Sequence, residues 1–93
     1  MAVLFQRKAS LPPARGLMVW ARREGYIDLL LAGLENGDTG VQVQTVRTVL
    51  LAYYQKQGMS LQKAADQMHN LSSLQVDRLT AALKTLSTNY NWK

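Results

Sequence analysis

The sequence contains no cysteine, which excludes a disulfide scaffold, a thiolate zinc site and a thiol nucleophile. Histidine occurs once, at His69, with only Asp66 at helical spacing as a second ligand type. That set is too small for a metal centre or an acid–base pair, so no metal, no cofactor and no enzymatic activity are expected. Glu24 and Asp28 lie a turn apart but straddle Gly25, which breaks them up as a carboxylate dyad. Gly33, Gly37 and Gly40 are too widely spaced, and follow no strand, to cradle a phosphate. Long apolar runs are also missing. The most apolar stretch, residues 26–34, contains Asp28 and falls far short of the ~20 residues that span a bilayer. Arg7 and Lys8 interrupt the apolar start of the chain where a signal peptide would continue its core. A cytoplasmic protein with no membrane association is the expectation.

What is present is enough for one domain. Folding 93 residues buries roughly 60–65% of the unfolded chain's surface, which allows one modest core. A composition of 47% hydrophobic and 18% charged residues is that of a globular chain. Its net charge of +5 is unevenly placed. Arg7, Lys8, Arg15, Arg22 and Arg23 face a single acid, Glu24, in the first 25 residues, whereas residues 26–93 carry six bases and five acids. Basic charge gathered at one end is the pattern of a surface that meets an anionic partner.

Periodicity and punctuation predict an all-α fold, a compact bundle of about five short helices. Residues 1–93 read as a single domain: an extended basic arm at 1–11, a basic amphipathic helix pair at 12–40 and a three-helix unit at 41–93. Pro12 and Pro13 suit the first turn of a helix, where the missing amide proton costs nothing. From Ala14 to Glu24, Leu17, Trp20 and Ala21 share a face opposite Arg15, Arg22 and Arg23, with Met18 and Val19 at the margin and partly exposed. Gly25 stops or bends this helix. In the second helix Leu29, Leu30 and Leu34 are expected inward and Asp28 and Glu35 outward. Residues 36–40 form the clearest loop. Thr39 and Gln42 have capping-box spacing and open a third helix with Val43, Val46, Leu50 and Tyr53 as its stripe, flanked by Val49 and Tyr54. The alternation of residues 41–46 also fits a strand, but the run before the next turn signal is too long for an ordinary one.

Gly58 suits a helix C-terminus, and Ser60 caps a short fourth helix carrying Leu61, Ala64, Ala65 and Met68. Ser72 and Gln75 form a second capping box, with Leu71 and Val76 at hydrophobic-staple spacing. The last helix shows Val76, Leu79, Leu83 and Leu86, then frays from Ser87 to Asn89, with Tyr90 and Trp92 either anchoring a partner from a flexible tail or folding back to cap the core, the second being favoured.

A long helix, a short one with paired alanines, a tight turn and a longer capped helix is the layout of a helix-turn-helix. Residues 57–69, with Gly58 and Ser60 ahead of Ala64, Ala65, Met68 and His69, resemble the first part of the DNA-binding domain of LysR-type regulators. The resemblance covers residues 50–86, requires an extra residue beside Met59 and another at Asn70, and leaves no room for a wing. It also places Leu74 and Asp77 at positions that would face DNA.

The resemblance implies a small DNA-binding regulatory protein, dimeric, with duplex DNA as partner. Ser72 and Ser73 would meet a phosphate at the helix N-terminus, Gln75 and Arg78 would point towards base edges, and Lys63, Lys84, Arg7 and Lys8 would contact the backbone or minor groove. A second reading rests on the first helix: Trp20, Met18, Arg15, Arg22 and Arg23 would dock a larger protein or a second copy, as in an adaptor, chaperone or inhibitor.

Overall fold

The computed structural model describes residues 11–93; the arm expected at residues 2–6, with Arg7 and Lys8, lies outside the described residues. Five helices follow one another: α1 (Ala14–Glu24), α2 (Ile27–Asn36), α3 (Thr39–Lys56), α4 (Leu61–Asn70) and α5 (Ser73–Asn89). No strand occurs among the described residues, and the all-α expectation holds. Leu11, assigned to the arm from sequence, already packs half-buried against the core.

Local chemistry sets the boundaries. α1 ends at Gly25, whose φ of 88° lets the Tyr26 amide return to the Ala21 carbonyl at 2.7 Å and close the helix end. The same device ends α3: Gly58 has φ 106°, and the Met59 amide donates to the Tyr54 carbonyl at 3.2 Å. Ser60 caps α4 by accepting from the Lys63 amide at 3.1 Å. At α5 both halves of the capping box are formed: the Gln75 amide donates to Ser72 Oγ at 3.1 Å, and the Ser72 amide donates to Gln75 Oε1 at 2.9 Å.

The start of α3 differs from expectation. Asp38, not Thr39, is the cap, its carboxylate accepting from the Val41 amide at 3.0 Å. A carboxylate one residue earlier both satisfies that amide and complements the positive end of the helix, which a threonine hydroxyl cannot. Gln42 is thereby released from a capping role. Its Nε2 donates instead to the carbonyls of Leu34 and Gly37, each at 3.2 Å, tying the end of α2 to the beginning of α3.

α5 packs against α1, α2 and α3, while α4 rests principally on α3. The core joins Leu17, Met18 and Trp20 of α1, Leu30, Leu31 and Leu34 of α2, Val46, Val49, Leu50 and Tyr54 of α3, and Val76, Leu79 and Leu83 of α5. Five sequence expectations are corrected by this packing. Met18 is fully buried, because α1 is covered from two sides, by α2 and by α5. Leu29 is exposed and Ile27 and Leu31 are buried, so the inward stripe of α2 starts at Ile27. Tyr53 is half-buried while Val49 and Tyr54 are inside. Leu61 and Ala65 are exposed, since a helix resting mainly on α3 buries only Ala64 and Met68. Residues 87–89 remain helical, and Ser87 and Thr88 hydroxyls donate to the Lys84 carbonyl.

Candidate nucleic-acid interface

At 100° per residue, Arg15, Val19, Arg22 and Arg23 fall on the side of α1 opposite Leu17 and Ala21, and all four are exposed. Glu24, the acid of this helix, is not on that side: it meets Lys56 Nζ of α3 at 3.7 Å. This is the ion pair found among the described residues, so Arg15, Arg22 and Arg23 have no carboxylate partner there. The charged side chains on the outer face of α1 are therefore all cationic. Arg22 and Arg23 also occupy the last turn, where the helix dipole favours positive charge and holds both side chains' charge at little cost to the helix.

Trp20 is not part of this surface. It is 7% exposed, stacked on Tyr26 at 5.4 Å between centroids and edge-on to Tyr53 at 5.3 Å. With Met18 also buried, the apolar anchors expected beside the arginines belong to the core, and Val19 is the apolar side chain left among them.

Arg15 reaches the other end of the chain. Its guanidinium lies over the Tyr90 ring, 5.7 Å from the centroid. Tyr90 follows the last residue of α5, so the first turn of α1 sits at the C-terminal end of that helix. Ser72 caps the opposite end, about 27 Å away at 1.5 Å of rise per residue.

At that opposite end the other sequence-predicted residues take up distinct positions. Ser72, Ser73 and Gln75 are exposed, but the capping box already uses Ser72 Oγ and Gln75 Oε1 as acceptors, which holds the Gln75 side chain back towards Ser72 and leaves its amide nitrogen as the uncommitted donor. The Ser73 and Leu74 amides are first-turn donors without intrahelical acceptors. Arg78 is exposed beside Asp77, and Lys84 lines a shallow groove of about 230 Å³ between α3 and α5 together with Asp77, Thr39 and Gln42. Lys63 is exposed on α4, near the Gln62 amide that donates to Asp66 at 3.1 Å. The structure thus places Arg15, Arg22 and Arg23 on one face of α1, with Arg15 at the opposite end of α5 from the mixed-charge group around Ser72.

Sequence reasoning missed the partnership of Arg15 with Tyr90, which joins positions 75 residues apart and leaves no local signal. It also passed over Arg47, half-buried in a groove of about 240 Å³ between α3 and α4 with Leu51, Ala65 and Met68. Among the described residues no three His, Asp or Glu side chains gather to hold a metal ion, and no helix is long and apolar enough to cross a membrane. Burial, and secondarily Tyr53, raises the Tyr54 phenol above its ordinary 10.0, but this group lies in the core away from the arginines. Comparison with known proteins returns no match to a family model, a curated protein or a solved structure.

Proposed function

We propose that this chain is a small, non-enzymatic DNA-binding protein that contacts backbone phosphates through the outer face of α1. One observation carries the reading: Arg15, Arg22 and Arg23 are exposed on a single helix face that carries no acid, Glu24 lying on another side of α1 beside Lys56. A row of guanidinium groups with no carboxylate partner is suited to phosphate oxygens and has no ion pair to give up on binding; Arg15 keeps only its contact with the Tyr90 ring. The helix-turn-helix reading adds a second contact, with Arg78 as the base reader at the start of α5 and Ser73 among the phosphate donors. The protein-docking alternative is weaker, because Trp20 and Met18, its anchors, are in the core.

Phosphate contact predicts counterion release. Binding to a labelled duplex, followed by fluorescence anisotropy, should weaken about fortyfold or more between about 50 and 200 mM salt if three phosphates are neutralised. Absence of binding at the lower salt would overturn the reading. Arg78→Ala separates the two surfaces: it should lower sequence preference while leaving the α1 contribution to the salt dependence in place.

A further inference from the structure

Tyr90 is the only exposed aromatic side chain among the described residues; Trp20, Tyr26, Tyr53, Tyr54 and Trp92 are buried or half-buried. A single exposed aromatic is ordinary in itself. What distinguishes Tyr90 is how firmly it is held. Its amide donates to the Leu86 carbonyl at 3.2 Å, and the same carbonyl accepts the Trp92 indole N–H at 2.9 Å. Trp92, only 9% exposed, is thereby seated in the core, and it supports the Tyr90 ring edge-on at 6.0 Å and 70°. Arg15 covers part of the ring from α1. Tyr90 is thus 52% exposed as a residue, yet held by its backbone, by an anchored indole and by a guanidinium that belongs to the basic face.

We propose that Tyr90 is a stacking platform for an unpaired nucleobase, placed at the edge of the α1 surface so that Arg15 takes an adjoining phosphate. This rests on the reading of α1 as a phosphate-binding face and names the form of nucleic acid that completes it: single-stranded DNA, or a duplex with a single-stranded end. Every base has a π-face, so stacking is tolerant of sequence, and a ring already immobilised loses little freedom when a base is laid on it. Bases inside a duplex are stacked on one another and are not available to the ring. The cations of α1 therefore serve both forms, whereas Tyr90 serves only the unpaired one.

The test compares a labelled oligothymidine strand with a labelled blunt duplex at about 50 mM salt, for the wild type, Tyr90→Ala and Tyr90→Phe. Tyr90→Ala should weaken strand binding by about fivefold or more and leave duplex binding unchanged, while Tyr90→Phe, which keeps the ring, binds the strand as the wild type does. Circular dichroism of each variant checks that α5 is intact. Equal strand affinity for Tyr90→Ala and wild type, with duplex binding retained, would overturn the stacking role alone. Failure of the wild type to bind either DNA would overturn the phosphate-binding reading and the platform with it.

Discussion

Gly33 lacks a side chain where α3 leaves no space for one. A Cβ built there would lie 2.2 Å from Thr45 Oγ1 and 2.6 Å from Thr45 Cβ, and Thr45 is a short, half-buried, branched side chain that cannot swing aside. Alanine would gain about 1 kcal/mol of helix propensity, but overpacking of this kind costs about 1–3 kcal/mol, and the depth of the overlap places it high in that range. Gly33→Ala should therefore lower the midpoint of urea unfolding. Gly40, whose nearest neighbour would be Asp38 Oδ1 at 3.4 Å, supplies the contrast: Gly40→Ala in the first turn of α3 should leave the midpoint unchanged or raise it. Tyr54 makes a prediction in pH. Its phenol is raised by burial, so the folded state retains the proton longer than the unfolded state does. Stability from this group is complete below pH 10 and declines as pH rises from there through the folded-state value. Urea titrations at pH 8, 10 and 11 should show that decline, and Tyr54→Phe should make it shallower.

The helices are specified mostly by their ends, and α5 most of all. Its capping box is reciprocal, and the helix packs against three others, so loss of the cap cannot stay local. Ser72→Ala should cost about 1 kcal/mol in global unfolding, read as a shift of the thermal midpoint, whereas Ser73→Ala, one residue inside the helix, should cost little. These ends were also what the sequence disclosed best. Gly25, Gly58, Ser60 and Ser72 each act through neighbours within five positions, so their roles follow from short-range spacing. Thr39 misled because Asp38 beside it satisfies the same orphan amides with a charge. Leu29, Leu30 and Leu31 are adjacent leucines that fit two helical registers, and only the inward position of Ile27 selects between them. The burial of Met18 and the meeting of Arg15 with Tyr90 depend on which helices cover α1. Spacing along one helix carries no trace of that arrangement.

For the whole molecule the consequence is an uneven surface. Within the basic N-terminal region the described part, α1, turns an acid-free face outward while its tryptophan holds it to the core. The start of α5, the expected reader of bases, is the end of α5 remote from Arg15 and carries Asp77 beside Arg78. On the proposed function, affinity would come from α1 and sequence preference from α5. Of the residues that sequence reasoning named for DNA and for docking, the described exposed ones fall on α1, on α4 and on α5, and Met18 and Trp20 in the core, because charge was legible along the chain but the placement of α1 against α5 was not. The central claim is tested most directly by the slope of log K against log salt on a duplex, for the wild type and for the triple variant Arg15→Ala, Arg22→Ala and Arg23→Ala. Every phosphate that is no longer neutralised reduces the slope by about 0.9, so the account predicts a slope shallower by about 2.7 in the triple variant. An unchanged slope, with the variant still folded and binding, would contradict it.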